Sequence, residues 1–429
     1  MKPQVLIAAP ASGSGKTTFT AGLLRSLRRR GLGVQPFKCG PDYIDPIFHS
    51  RAAGRRSVNL DSWLCGDLAH LYGRYGSGAD VCVTEGVMGL FDGYDRMAGS
   101  SAEIGRLLGI PVLLVAGAKS TAYTVAAQLH GMKTFMPGLN VVGVVFNQVA
   151  SGRHSRLLLQ AAEDAGLPCF GCLPRAGNLE VPSRHLGLTI AAQSEMEEWI
   201  SCAADMVEAN IDIDALLASC ETTFVEPRTE PAFARGGMRI AIARDEAFNF
   251  TYIENLECLE RLGEVSWFSP LAGDGLPETD LLYLPGGYPE LFVEQLAANR
   301  QLMSSIRDFA LAGGRILAEC GGMIYLSKAL TSAGGARTEM CGVLPIETTM
   351  EGAKLHLGYR SIKLSSGAEF RGHEFHYSDV TNPGAVESVA EQFDVRGCRV
   401  ATPLYRFKNV IAGYTHLYWG DNDIMKLWD

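Results

Sequence analysis

The sequence predicts a two-domain α/β protein, and three observations carry that expectation. Residues 5–19, VLIAAPASGSGKTTF, read as strand, glycine-rich loop and helix. Apolar strands then alternate with helical stretches, the pattern of a mostly parallel sheet that binds ligands at the carboxyl ends of its strands. The pattern restarts at Met238 after a segment rich in Pro, Gly and charge. A chain of 429 residues also exceeds the roughly 250 to 300 at which a single core splits. The expected organisation is a phosphate-loop domain over 1–221, a linker over 222–237 and a second α/β domain over 238–429.

The first strand, 5–9, breaks at Pro10, and Lys16-Thr17-Thr18 opens the first helix. Backbone N–H groups around Gly13, Ser14 and Gly15 can wrap a polyphosphate, with the helix N-terminus adding positive potential. Lys16 can reach the outer phosphates and Thr17 can hold Mg²⁺. Pro10 stands where the first glycine of G-x-x-x-x-G-K-[ST] belongs, so a plain helix-capping turn is the alternative. The helix runs to about Arg30, where Arg28, Arg29 and Arg30 complement its carbonyl end. A strand at 34–37 leads into KCGPDYIDP, residues 38–46, whose two prolines are expected to hold the backbone extended. That stiff loop presents Asp42 and Asp45 beside the phosphate loop, suited to ligating Mg²⁺ or placing a substrate group; an ordinary Pro/Asp turn is the alternative. Residues 81–85 form a buried strand that delivers Glu85 as a second metal-proximal carboxylate. A glycine-rich loop with Asp92 follows. Strands at 111–116 and 141–146 alternate with helices near 121–132 and 153–165. Asn147 sits where a side chain can meet a nucleotide base, or where a turn needs it. A closing helical segment spans 195–220.

In the second half, strands are expected at 238–243, 264–268 and 280–284 and a helix at 251–262. Residues 284–289, LPGGYP, are a tight turn. In 315–325 a strand meets a helix at Cys320-Gly-Gly. There the helix dipole favours a thiolate and adjacent N–H groups can receive an oxyanion, much as at the nucleophile elbow of hydrolases. Of nine histidines the candidate base is His416, at the end of the apolar strand 410–414, where it can face the same sheet edge as Cys320; a buried structural Cys and a satisfied His are the alternative. His373 and His376 invite a metal reading, but they stand three apart rather than four, and strand alternation puts them on opposite faces. Structural or substrate-facing roles are expected instead.

Composition narrows the class. A hydrophobic content of 47% with 20% charged residues describes an ordinary globular chain, and a net charge of −9 argues against nucleic acid as a bulk electrostatic partner. No apolar run approaches the roughly 18 to 20 residues of a membrane span, and the N-terminus runs straight into the phosphate loop instead of forming a removable signal. The expectation is a cytoplasmic protein. Eleven scattered cysteines read as reduced thiols. Cys169 and Cys172 form a lone CxxC without a second pair at zinc spacing. No internal repeat or low-complexity segment is apparent.

Taken in order, SGSGKTT (12–18), GPDYIDP (40–46), TEGVMGLFDG (84–93), SRHLGL (183–188), PGGYPEL (285–291), AECGGMIYL (318–326), GHEFHYS (372–378) and THLYWG (415–420) resemble the cobyrinate a,c-diamide synthase family of cobalamin biosynthesis. The resemblance implies an N-terminal ATP-dependent amidoligase domain similar to dethiobiotin synthetase and a C-terminal flavodoxin-like class I glutamine amidotransferase domain. It implies MgATP-dependent phosphorylation of the a and c acetate carboxylates of a corrin, with glutamine-derived ammonia displacing phosphate. It assigns Gly13, Ser14, Gly15, Lys16, Thr17, Thr18 and Asn147 to ATP, and Thr17, Asp45 and Glu85 to Mg²⁺. Asp92 supports the phosphorylated intermediate, and Asp42, Tyr43 and Ile44 place the corrin carboxylate. Cys320 is the nucleophile, His416 its base, and N–H groups near Gly287 and Gly321 serve the oxyanion. Most class I domains carry an acid two residues after the catalytic His; Tyr418 stands there, which matches a Cys–His dyad and slow glutamine hydrolysis until the synthetase site is filled. Partners are a tetrapyrrole, ATP and glutamine, with a homodimer as the compatible assembly and a sheltered ammonia path expected. Hydrogenobyrinate and nickel-sirohydrochlorin are alternative substrates, and a non-enzymatic nucleotide switch is the remote alternative.

Overall fold

The computed structural model describes residues 1–175, 193–228, 235–383, 386–420 and 422–429. The chain divides into two compact units, Met1–Glu230 and Pro231–Asp429. The SRHLGL stretch at 183–188 lies outside the described residues.

The N-terminal unit is built on a sheet of order β3-β2-β4-β1-β5-β6-β7. Strand β1 (Lys2–Ala8) is central. On one side lie β4 (Val81–Glu85), β2 (Val34–Cys39) and β3 (Val58–Leu60); on the other lie β5 (Val112–Gly117), β6 (Val141–Val149) and β7 (Cys169–Pro174). Every neighbour in this path pairs in parallel, so the carboxyl ends share one edge. Strands covered on both faces read as unbroken apolar runs rather than as alternation, and β5 is buried from Val112 through Ala116. Helix α1 (Lys16–Arg29) is buried from Lys16 through Leu27. The helix Gln193–Asn210 covers it at a point where only glycine fits: a Cβ on Gly22 would stand 2.6 Å from the Ala203 carbonyl oxygen.

Three local expectations are corrected. The Asp42–Asp45 loop is not extended throughout, because Asp45 opens helix α2 (Asp45–Ala53). The Asp42 carboxylate accepts from the N–H groups of Ile44 and Asp45 at 2.8 and 3.1 Å, and Pro46 suits the first turn. The closing segment is two helices, Gln193–Asn210 and Ile213–Ser219, the second capped by Asp212. Residues 222–228 pack on this unit: β8 (Glu221–Thr222) pairs antiparallel with β1, and the Phe224 ring lies 5.6 Å from that of Tyr72.

The C-terminal unit has a main sheet of order β10-β9-β11-β12-β22-β21. It comprises β9 (Met238–Ala243), β10 (Gly263–Phe268), β11 (Leu281–Leu284), β12 (Arg315–Glu319), β21 (Leu404–Phe407) and β22 (Val410–Gly413). Alternate residues of one strand serve two cores: Leu282, Ile316 and Ala318 pack on one face, Tyr283 and Leu317 on the other. A small sheet joins β13 (Ala329–Thr331), β14 (Arg337–Glu339), β15 (Glu347–Thr349) and β18 (Asp379–Val380). Another runs β20-β19-β16-β17-β23, formed by β16 (His356–Leu364), β17 (Glu369–His376), β19 (Ala390–Phe393), β20 (Arg399–Val400) and β23 (Thr415–Tyr418). Here the last apolar strand is corrected as well. It ends at Gly413, the chain crosses through Tyr414, and His416 lies within β23 of a different sheet.

Candidate active sites

The phosphate loop follows β1. Gly13 and Gly15 take φ of 78° and 92°, a left-handed geometry that favours glycine. Gly15 is required a second way, since a Cβ there would stand 2.0 Å from the Asn147 amide nitrogen. Asn147 donates from Nδ2 to the Ser14 carbonyl at 3.0 Å and accepts at Oδ1 from the Gln148 N–H at 2.9 Å. Its amide therefore braces the phosphate loop from the end of β6.

A buried charge cluster adjoins the loop. The register of β2 on β4 sets Lys38 beside Glu85. The Lys38 ammonium lies 2.7 Å from Asp45, 3.2 Å from Glu85 and 3.7 Å from Asp42, and donates to the Gly86 carbonyl at 3.1 Å. Thr17 Oγ1 donates to Glu85 Oε1 at 3.0 Å and reaches Asp45 Oδ1 at 3.4 Å. His49 Nε2 meets the other Glu85 oxygen at 2.7 Å. Burial alone would lower the Lys38 pKa, but Asp45, Glu85 and Asp42 outweigh it and raise it well above the usual lysine value. Burial would likewise raise Glu85, yet Lys38 and His49 hold it below the usual carboxylate range. Asp45 is pushed up to about 7 by burial and by Asp42, against the pull of Lys38. Lys16 donates to the Met88 carbonyl at 2.6 Å, and burial lowers its pKa against the opposing pull of Glu85.

Lys16, Thr17, Lys38, Asp45 and Glu85 line a cavity of about 490 Å³ together with Gly13, Gly15, Thr18, Asp42, Asn147, Lys119, Gln148 and Arg175, whereas His49 lies behind Glu85 and outside the lining. Tyr43, Ile44 and Asp92 are not among its lining residues. Tyr43 is buried, Ile44 packs against the core, and Asp92 is exposed with Oδ2 accepting the Gly89 N–H at 2.9 Å. The sequence reading gave no role to Lys38 or His49; an isolated Lys in an apolar strand was the available signal for the first. Among the described residues no group of three or more His, Cys, Asp or Glu forms a metal cage. The donor set nonetheless fits Mg²⁺: Thr17, Asp45 and Glu85 offer hard oxygens, and this ion is commonly held by one or two carboxylates with phosphates and water.

The second site forms where β12 ends. Cys320 is buried and takes φ 46° and ψ −101°, a conformation that costs a non-glycine residue roughly 1–3 kcal/mol. Gly321 and Gly322 open the helix behind it; a Cβ on Gly321 would stand 3.0 Å from the Gly287 nitrogen, and one on Gly322 2.1 Å from the Leu284 oxygen. The turn at Gly286-Gly287 is thereby pressed against the nucleophile corner. It also meets the candidate base, since a Cβ on Gly286 would lie 2.0 Å from His416 Cε1. The β17–β23 pairing sets His373 opposite His416, and Cys320 Sγ lies 3.8 Å from the Phe375 carbonyl of β17. Cys320, His416, Gly287 and Gly321 are thus assembled around one turn.

Both candidate groups, Cys320 and His416, are held neutral. Burial, then the Glu290 charge, pushes the Cys320 thiol well above its ordinary value. Burial, with His373 and His376 nearby, lowers His416 to about 3. Glu319, immediately before Cys320, accepts from Tyr283 Oη at 2.7 Å and from the Leu417 N–H at 3.0 Å, tying the nucleophile corner to the strand of the base. Burial pushes it up to about 8. The histidines of GHEFHYS do other work: His376 uses both ring nitrogens, on Glu374 at 2.7 Å and the Ser378 carbonyl at 2.8 Å, and stacks on Tyr414 at 3.5 Å. Arg360 and Thr402 complete the shell of Glu374.

A phosphate-loop unit with a carboxylate–lysine cluster, and an α/β unit with a buried cysteine at a strand-to-helix corner and a buried histidine against the adjoining Gly286 turn, define a nucleotide-binding protein carrying a glutamine amidotransferase. Family models agree on both halves. The CobQ/CobB/MinD/ParA nucleotide binding domain matches residues 5–188, and the CobB/CobQ-like glutamine amidotransferase domain matches 239–424. The chain belongs to the CobB/CobQ family, whose two modules make it a glutamine-dependent carbon–nitrogen ligase. It is 41% identical over 428 residues to a hydrogenobyrinate a,c-diamide synthase of Brucella suis, covering 96% of this chain and 97% of that protein. Proteins of the same name from Stutzerimonas stutzeri and Pseudomonas aeruginosa are each 41% identical, covering 97% and 98% of this chain and 95% of either relative. No described helix is long and apolar enough to cross a membrane.

Proposed function

We propose that the protein converts the a and c acetate carboxylates of a corrin to carboxamides, using ATP and glutamine, in the cytoplasm. The names of its relatives favour the metal-free hydrogenobyrinate over cobyrinate as substrate. The observation that carries the chemistry is the Lys38–Asp45–Glu85–Thr17 cluster beside the phosphate loop. A carboxylate is a poor electrophile with a poor leaving group, so amidation requires phosphorylation first.

In the N-terminal unit, N–H groups of residues 13–18 bind the nucleotide phosphates, and Lys16 leaves the Met88 carbonyl for the outer phosphates. Lys38 offsets charge between transferring phosphoryl and acceptor carboxylate, which Asp42 helps to place. Thr17, Asp45 and Glu85 would hold Mg²⁺, which when bound supplies charge neutralisation on the phosphates. In the C-terminal unit, the Cys320 thiol gives its proton to His416 as sulfur attacks the glutamine carboxamide. The developing oxyanion is received by the Gly287 and Gly321 N–H groups. The proton passes from His416 to the leaving nitrogen, and water then hydrolyses the glutamyl thioester. Because thiol and imidazole rest neutral, free enzyme hydrolyses glutamine slowly.

Mass spectrometry of hydrogenobyrinic acid, cobyrinic acid and nickel-sirohydrochlorin, each incubated with enzyme, MgATP and glutamine, tests this reading. Each exchange of OH for NH₂ lowers the mass by about one unit, the difference between two groups of fixed covalent composition. Two successive losses on hydrogenobyrinic acid are expected. Amidation of another macrocycle alone overturns the substrate, and ATP turnover with no amidation overturns the reaction.

A further inference from the structure

One carboxylate beside the nucleophile has no role in the mechanism above. Glu290 lies in the short 3-10 turn Pro289–Leu291, directly after the Gly286-Gly287 turn. That turn is packed onto the nucleophile corner: a Cβ on Gly321 would stand 2.8 Å from Pro289 Cδ. Of the charges that act on Cys320, that of Glu290 is the strongest, ahead of Glu319 and Glu374. Its carboxyl accepts from its own backbone N–H, and burial pushes it up to about 7. Among the described residues no lysine or arginine pairs with it.

Such a group is unfavourable twice. A sheltered carboxylate without a counter-ion costs stability, and its charge opposes the thiolate that the reaction requires. Glu319 and Glu374, by contrast, are satisfied by Tyr283 and Leu417 and by Arg360, His376 and Thr402. The missing partner is a cation that arrives with the donor. Free glutamine carries an ammonium at the far end from its carboxamide, roughly 5 Å away by ordinary bond lengths. Glu290 is partly exposed, so a ligand can reach it.

We propose that Glu290 is the binding group for the α-ammonium of the glutamine donor. The proposal rests on Cys320 as the glutamine-attacking nucleophile. It gives the donor two jobs: its ammonium pairs with Glu290, and this pairing offsets the charge that adds to burial in holding Cys320 as a thiol. Donor binding then activates its own attacker, and free enzyme keeps a quiet cysteine.

The test compares L-glutamine with glutaramate, the same amide without the ammonium, in full-length wild type and Glu290→Gln with MgATP and corrin present. Loss of a charge-assisted hydrogen bond predicts that kcat/KM for glutamine falls about 10- to 100-fold, mainly through KM. Turnover of glutaramate falls far less, so the preference for glutamine collapses, whereas Glu290→Asp retains that preference. A second measurement needs no donor: iodoacetamide alkylates Cys320 faster in Glu290→Gln than in wild type, read on the Cys320 peptide. Equal losses for both donors, or an unchanged glutamine KM, or unchanged alkylation in the folded variant, overturn the ammonium site. Wild type that hydrolyses neither donor, with Cys320→Ala no different from it, overturns the amidotransferase reading itself.

Discussion

The two sites handle charge in opposite ways. At the phosphate loop the ionised forms are buried and kept: Lys38 remains an ammonium among Asp42, Asp45 and Glu85, and Glu85 remains a carboxylate between Lys38 and His49. At the amidotransferase corner the two residues proposed to react are kept uncharged, with Cys320 a thiol and His416 a neutral imidazole. The difference follows from what each site receives. On the proposed reading the first site receives a polyanion, whose charge must meet preset counter-charge, because creating it during the reaction would cost reorganisation. A carboxamide is neutral, and a thiolate standing beside water would invite oxidation and idle chemistry. Before its substrate arrives the first site is thus stabilised by pairing, whereas at the second Cys320 and His416 rest neutral and Glu290 is left without a cation among the described residues.

Lys38→Met should break the first arrangement and spare the second. It leaves Asp45 and Glu85 buried without their cation, at about 3–5 kcal/mol of stability. It also removes a charge from the proposed phosphoryl-transfer site, so ammonium-supported and glutamine-supported synthesis fall together by about 10³-fold or more. Cys320 alkylation keeps its wild-type rate. Retention of ammonium-supported synthesis within about tenfold would mean that Lys38 is structural filling.

Gly286→Ala does the reverse. Its new Cβ collides with His416 Cε1, 2.0 Å away, and the backbone on one side and β23 on the other leave the ring to move. Misplacing a base by about 1 Å costs on the order of 10²-fold. Glutamine-supported synthesis should fall by that factor while ammonium-supported synthesis persists. Parallel losses in both assays would show that the turn at Gly286 does more than seat the histidine.

What could be read from the chain follows the distance over which each feature is built. The phosphate loop and the Cys320 corner are local: positive φ at Gly13 and Gly15, a helix start at Lys16 and a strand-to-helix turn at Cys320 are written in consecutive residues. Parallel strands were legible for the same reason, as apolar runs alternating with helices. Partners of Lys38, His49 and Glu319 come from register and tertiary packing. His49 and Glu85 stand 36 residues apart, and Glu319 and Leu417 98 apart. No short pattern announces such pairs. The misread at Asp45 is different, because its signal was present: Pro46 beside Asp45 suits a first helical turn, and Asp42 just ahead can accept the N–H groups that lead into it. The weight given to two prolines as extended-chain residues hid it. His416 was assigned to the end of an apolar strand, whereas Gly413 and Tyr414 carry the chain from one sheet into another.

The neutrality of the second site has a smaller but measurable cost in acid. His416 titrates near 6.5 when unfolded and near 3 when folded, chiefly because burial penalises its charged form. As pH falls below 6.5 the unfolded chain takes up a proton that the folded chain refuses. This contribution to stability is therefore complete above 6.5 and is lost progressively toward pH 3. At pH 5 the loss is about 2 kcal/mol. His416→Asn has no such proton to take up, so between pH 7.5 and pH 5 its stability should drop by about 2 kcal/mol less than that of wild type. Urea unfolding read by labelling Cys341, which is fully buried in the core of the C-terminal unit, reports on that unit alone. Equal drops would mean that His416 already titrates near its ordinary value in the folded protein. The dyad would then carry a charge below neutrality, and the contrast between a paired site and a neutral one would narrow to Cys320.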